Sequence, residues 1–68
     1  MDIDILVNGE SKRVPTGQTV AALVREMAME NQRIAVEVNQ EIVPRSRYTR
    51  HALQPGDQVE VVTAIGGG

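Results

Sequence analysis

The 68-residue chain has no cysteine, no tryptophan and no phenylalanine, and Tyr48 is its sole aromatic residue. Without cysteine there is no disulfide framework, no thiolate metal site and no thiol nucleophile. With one aromatic there is no platform on which several bases could stack. His51 is the single histidine, which argues against a metal centre built from His and Cys ligands. Positive charge is in short supply: seven Lys and Arg stand against nine Asp and Glu, for a net charge of −2. That is the wrong sign for a general nucleic-acid binder. No apolar run is long enough to span a membrane, and Met1-Asp2-Ile3-Asp4 lacks the basic start of a secretory signal. The expectation is a soluble, cytoplasmic protein with no nucleic-acid or membrane partner. No nucleophile–base pair and no metal-ligand spacing is visible, and Gly66-Gly67-Gly68 precedes no helix that would make it a phosphate cradle. No catalytic residue is assigned, and the chain is not expected to be an enzyme.

A chain of this size forms one domain and buries only ~60% of the surface its unfolded form exposes. Its core supplies ~3–5 kcal/mol, which favours a binding or carrier role over an enclosed catalytic cleft. Ile3, Ile5 and Val7 alternate with Asp2, Asp4 and Leu6, the period of a half-buried strand. Asn8-Gly9 supplies a two-residue hairpin turn, because both residues tolerate positive φ. Glu10 to Val14 returns as a polar edge strand ended by Pro15. Thr16-Gly17-Gln18 is a turn, and Thr19 caps a helix carrying Val20, Leu23, Val24 and Met27 on one stripe. Glu30-Asn31-Gln32 closes that helix, with Met29 at its edge. Ile34, Val36 and Val38 mark the next strand, Asn39-Gln40 a turn, and Glu41-Ile42-Val43 a short strand stopped by Pro44. Arg45 to His51 is polar, with room for one helical turn, and Tyr48 plugs a gap at the end of the core. After the Pro55-Gly56-Asp57 turn, in which Asp57 caps its own backbone, Val59, Val61 and Thr63 alternate in a final strand. Periodicity alone gives an α+β class.

The chain ends in Ile65-Gly66-Gly67-Gly68. Composition allows a frayed end or an expression remnant as readily as a functional tail. Two features favour function: the glycines follow the last apolar strand directly, and a free carboxylate then sits on a segment without side chains. Glycine has no Cβ, so such a tail can approach backbone and phosphate closely inside a partner. Extended, Ala64 to Gly68 reach ~16 Å. Ordering three glycines costs roughly 3–6 kcal/mol of backbone entropy, so contacts on the folded body must offset it. Leu6 and Val62, on the strand faces away from the helix, together with Ile65, are the candidates for that docking face; ordinary surface residues are the alternative. Asp2, Asp4 and Glu60 give the same face a negative field that steers a basic partner.

Laid end to end, several segments resemble the ThiS family of sulfur carriers of thiamine biosynthesis. They are Ile5-Leu6-Val7-Asn8-Gly9, then Thr16-Gly17-Gln18-Thr19-Val20, then Val38-Asn39-Gln40-Glu41-Ile42-Val43-Pro44-Arg45 with Tyr48. Gly56-Asp57-Gln58-Val59-Glu60-Val61 and the terminal glycines complete the set. Each is weak alone, and their order across nearly the whole chain makes the match specific. The resemblance implies a β-grasp, ubiquitin-like roll. One helix would cover one face of a mixed four- to five-stranded sheet whose first and last strands are parallel central neighbours. Residues 1–64 would form the body and 65–68 a flexible tail.

The resemblance also implies chemistry. A ThiF-like adenylyltransferase, using ATP and magnesium, would activate the Gly68 carboxylate. A sulfur-donor enzyme would supply the thiocarboxylate sulfur, and a ThiG-like thiazole synthase would receive it. Gly66 and Gly67 would thread the tail, and the carrier itself would hold no cofactor and no metal. The family terminus is Gly-Gly, which leaves two cases open: Gly66 is an added link that loosens the tail, or Gly68 is an expression remnant and Gly67 is the reactive residue. Two other readings stand beside this one. One is the glycine-tailed small subunit of molybdopterin synthase. The other is a TGS-like non-covalent module, which Val38 to Thr63 resembles and which is normally an internal part of a long chain. A complete chain stopping at Gly68 would favour the carrier, and a fragment cut from a longer chain would favour the module. Arg45, Arg47, Arg50 and His51 around Tyr48 read as a solvated turn, with a nucleic-acid patch as the sharper alternative.

Overall fold

A computed structural model describes residues 1–64; the expectations placed on Ile65, Gly66, Gly67 and Gly68 lie outside the described residues. Six elements follow the sequence pattern closely, joined by a single 3-10 turn at Arg45–Arg47. They are β1 (Asp2–Val7), β2 (Glu10–Pro15), α1 (Val20–Glu26), β3 (Ile34–Val38), β4 (Glu41–Val43) and β5 (Gln58–Thr63). The five strands form one mixed sheet in the order β2-β1-β5-β3-β4. β1 and β5 run parallel, with Leu6 beside Gln58 and Val7 beside Val59. All other neighbours are antiparallel. This is the β-grasp roll, with the first and last strands adjacent at its centre.

Alternation decides which side chains are inside. Ile5, Val7, Val36, Val38, Val43, Val59 and Val61 project to the helix side, where Val20, Leu23 and Val24 of α1 meet them. Tyr48 closes the core from the turn after β4. Both two-residue hairpins place their central residues at positive φ: Asn8 and Gly9 at 52° and 85°, Asn39 and Gln40 at 53° and 70°. These values match the right-handed twist of the flanking strands. Pro15 pairs with Asp2 as the last residue of β2 instead of lying beyond it. An edge strand tolerates proline because the missing N–H is not needed on its open side.

The helix start is satisfied from two directions. The Ala22 amide donates to Thr19 Oγ1 at 3.2 Å, the expected cap. The Val20 and Ala21 amides, which have no partner inside a helix, donate to the His51 and Tyr48 carbonyls at 2.9 Å each. The segment after β4 thus docks on the first turn of α1. It is fixed further by a bridge between Thr19 and Ala52. Leu53, which the alternation of the strands does not mark, is fully buried there.

The helix end differs from the sequence expectation. It stops at Glu26, four residues before Glu30. Ala28 adopts φ 58°, its amide donates to Arg25 O at 2.9 Å, and the Met29 amide donates to Val24 O at 3.0 Å. This pair of reversed bonds is a Schellman cap. Its usual companion is an apolar contact across the cap, and here Met29 and Val24 belong to the same core cluster. Met29 therefore packs from the loop, and its burial turns the chain where no glycine or proline marks a stop.

An L-residue in the left-handed region is strained, which glycine avoids. Ala28→Gly is expected to raise unfolding stability by about 0.5–1 kcal/mol, measured by urea denaturation. A loss of stability would show that the Ala28 methyl contributes packing that outweighs its backbone strain.

Candidate functional site

The strand that leads to the glycine tail is the most embedded in the sheet. β5 lies between β1 and β3 and is held from both sides by asparagines at the two hairpin turns. β1 ends at Val7, so Val61 has no strand neighbour on that side. Asn8 replaces one: its Oδ1 accepts from the Val61 amide at 2.9 Å and its Nδ2 donates to the Val61 carbonyl at 3.2 Å. Asn39 does the corresponding work at the start of β5. Its Oδ1 accepts from the Gln58 amide at 2.9 Å, and its Nδ2 donates to Asp57 Oδ1 at 3.0 Å. The second oxygen of Asp57 accepts from the Gln54 amide at 2.8 Å, the self-capping turn expected of it. At the far end the Ala64 amide donates to Arg33 O at 2.8 Å. The last described residue is therefore tied to the sheet, and the tail begins from a fixed point. Sequence reasoning took both asparagines as turn formers and missed their second role. The signal was present only as an amide side chain at the same place in two hairpins.

The sheet face away from α1 is open, and Leu6 and Val62 both lie on it, 37% and 51% exposed. They are not adjacent. Leu6 stands beside Gln58 at the start of β5, and Val62 is four residues further along, roughly 13 Å away. Val62 pairs with Ala35 and sits two residues before Ala64, next to the tail exit. Ile42, 65% exposed on β4, is on the same face and was not singled out by the sequence pattern. Between Val62 and Leu6, Glu60 stands directly opposite Glu37, and Glu37 in turn pairs with Ile42. Asp4 is less available as a steering charge than the sequence implied. It pairs across β1 and β2 with Arg13, whose Nε lies 3.1 Å from Asp4 Oδ1. That hydrogen bond, then the attraction of the charge, raises the Arg13 pKa above its ordinary value. The negative field of the open face accordingly rests on Asp2, Glu37 and Glu60.

Among the described residues no cluster of three or more His, Cys, Asp or Glu side chains is placed to hold a metal ion. No helix among them is long and apolar enough to cross a membrane. Tyr48 is buried as the plug of the core, and Arg45, Arg47 and Arg50 remain exposed around it.

A mixed five-stranded sheet, one covering helix and a central last strand leading out of the fold define a β-grasp domain of the ubiquitin-like class. The comparisons with known proteins agree. A model of the ThiS family matches residues 5–68, and the chain belongs to that family. It is 35% identical over 66 residues to the sulfur carrier protein ThiS of Escherichia coli, covering 97% of this chain and 100% of that protein. The crystal structure of a thiamine biosynthesis protein, ThiS, from Geobacter metallireducens superposes with a TM-score of 0.83 at 26% identity, covering 97% of this chain and all of that one. The chain is also 42% identical over 64 residues to a thiazole synthase of Paramagnetospirillum magneticum. That match takes in 94% of this chain, which spans about a fifth of the synthase's length.

Glycine suits the left-handed turn position at least as well as asparagine, so Asn8→Gly isolates the clamp on Val61 from the turn. The variant is expected to lose about 0.5–1.5 kcal/mol in denaturant unfolding, the net worth of hydrogen bonds that are part-buried and that water can partly replace. Faster amide hydrogen exchange at Val61 should accompany it. Unchanged exchange there would mean the amide clamp does not hold β5.

Proposed function

We propose that this protein is a sulfur carrier of thiamine biosynthesis, and that the Gly68 carboxylate is the group that carries the sulfur. The observation that supports this most strongly is the family match, which runs through the terminal glycines and covers the whole of a protein described as a sulfur carrier. The fold supports it in a second way. No side-chain catalyst is required of a carrier; what it needs is a tail launched from a fixed point, and β5 is the strand best held for that purpose.

The chemistry follows from the weakness of a carboxylate as an electrophile. Its charge is delocalised over two oxygens, so direct attack by sulfur has no leaving group. In the proposed sequence a ThiF-like adenylyltransferase, with ATP and magnesium, lets a Gly68 carboxylate oxygen attack the α-phosphorus, and pyrophosphate departs. Sulfur at the sulfide level from a donor enzyme then attacks the acyl carbon and AMP leaves, giving a thiocarboxylate. Its sulfur, ionised near neutral pH, is a nucleophile without a neighbouring base. A ThiG-like thiazole synthase is the proposed acceptor. The similarity to a thiazole synthase that carries a stretch like this chain within one polypeptide favours that pairing. Gly66 and Gly67 are the links that let the carboxylate enter a narrow partner site, since no Cβ obstructs their approach.

Val62, Ile42 and Leu6 are the proposed apolar contacts with the adenylating enzyme, with Ile65 continuing them. Opposed Glu37 and Glu60 disfavour folding slightly, because like charges face one another across the ladder. A basic partner surface relieves that repulsion.

Intact-mass measurement after incubation with a ThiF-like enzyme, ATP, magnesium and a sulfur source is expected to show one oxygen-for-sulfur exchange, lost when Gly68 is deleted from a folded chain. No mass change under conditions that modify another ThiS protein would overturn the carrier reading. Separately, Leu6→Asp and Val62→Asp are each expected to weaken binding to that enzyme about tenfold while leaving the unfolding midpoint nearly unchanged. Unaltered affinity in both would remove the open face from the docking surface.

A further inference from the structure

The cationic side chains fall into two groups. Lys12 and Arg13, both on β2, are paired, with Glu26 at 3.3 Å and with Asp4 at 3.1 Å. The other five cations are Arg25, Arg33, Arg45, Arg47 and Arg50, and among the described residues none has a carboxylate within ion-pair distance. All five lie in the last turn of α1, just before β3, or in the turn after β4. A chain of net charge −2 thus carries a local excess of unpaired positive charge at the end of α1 and in the turn that docks on its start, with Arg25 and Arg45 on the helix side of the sheet.

That side also contains a hollow of about 180 Å³. Val24, Ile34 and Tyr48 form its floor, and Arg25, Arg45 and Glu30 stand at its rim. Arg45 is already oriented, its Nη2 donating to the Gln32 carbonyl at 3.2 Å, so little of its rotamer freedom remains to be lost on binding. A second hollow, lined by Arg47, Arg50 and His51, adjoins the same turn. Guanidinium groups around an apolar floor match a carboxylate carried on an aliphatic stem, because the charge is paired in a charge-assisted fork while the methylenes are removed from water.

We propose that this arginine-rimmed hollow is a second docking surface, on the opposite side of the sheet from the open face, and that its occupant is an acidic segment of a partner protein. Nucleic acid fits the page less well. The one aromatic that could stack a base is the buried floor residue Tyr48, and the hollow has the size of a side chain, not of a groove that follows a phosphate backbone. Because the open face and the hollow are on different sides, one partner can hold each at the same time. The inference does not depend on the carrier chemistry, and its test uses no adenylating enzyme.

Tyr48 is the only fluorophore of the chain and reports directly on the hollow. The full chain is titrated at low and at physiological salt with acetyl-Glu-Glu-Leu-Glu-Glu-amide, with its all-Gln counterpart, and with an oligothymidylate of equal charge, following tyrosine emission and heat. The acidic peptide is expected to bind and the Gln peptide not. Arg25→Gln should weaken binding about five- to tenfold, and Glu30→Gln, which removes a like charge, should strengthen it. Arg45→Gln tests the oriented guanidinium; should loss of its bond to Gln32 unfold the chain, Arg25→Gln, which breaks no such bond, carries the test with circular dichroism as the control. Absence of binding at low salt, unchanged affinity in folded Arg25→Gln, or tighter binding of the oligothymidylate than of the peptide would each overturn the proposal.

Discussion

The parallel pairing of β1 with β5 is the contact on which the rest of the molecule depends. It joins residues 2–7 to residues 58–63, so the whole intervening chain must be folded back before it can form. Such a closure is slow and entropically expensive, and the core burial and hydrogen bonds of the resulting centre offset it. On one face Ile5, Val7, Val59 and Val61 supply much of the core. Along the edge of the pair, the Leu6 amide donates to Asp57 O and the Asn8 amide to Val59 O, both at 2.9 Å. Where β1 runs out, the Asn8 side chain continues the pairing by two more bonds to Val61. Two strands of equal length, offset along the pair, are thereby held together beyond the end of β1.

This arrangement has a consequence for the carrier role. In the proposed carrier role, a tail that enters a partner would need a firmly held base. The base is the strand flanked on both sides, clamped by Asn8 and Asn39, and tied at Ala64 to Arg33. Val62 and Ala35 lie beside that exit on the open face. In the proposed docking, partner contacts there would help offset the entropy of ordering the glycines. The helix side is chemically different, with unpaired arginines over a small apolar floor. One thin sheet thus separates an acidic, aliphatic surface from a cationic one, and electrostatic complementarity of this kind selects partners more than it strengthens binding.

Most of the fold was legible because its signals are local. Period-2 alternation, Asn-Gly and Asn-Gln turns, the Thr19 cap and Pro44 each act over a few residues, and the strands, the hairpins and the helix start appeared where those residues put them. The candidate site was less legible. Leu6 and Val62 could be placed on the outer face from alternation, but their separation of four register positions depends on how β1 and β5 slide past each other. Ile42 was passed over because its strand is three residues long and gives no period to read. Asp4 was counted as free charge because the register that the Asn8-Gly9 turn sets, which places Arg13 across from Asp4, was not followed along the hairpin.

The sequence by itself determined the strands, the two hairpins, the start of the helix and the membership in the ThiS family, since all of these are written in short-range pattern and in ordered motifs. Only the tertiary structure decided where the helix ends, what Asn8 and Asn39 bind, and which cations lack partners. The helix stops at Glu26, where the Ala28 and Met29 amides turn back to Arg25 O and Val24 O and Met29 packs against the core. The asparagines become clamps because β1 ends beside Val59 while β5 runs on to Thr63, and because the turn after β3 leaves Asn39 level with Gln58. Those outcomes depend on which distant groups come within about 3–4 Å of one another, and that distance is set by the closed sheet, not by any window of the chain.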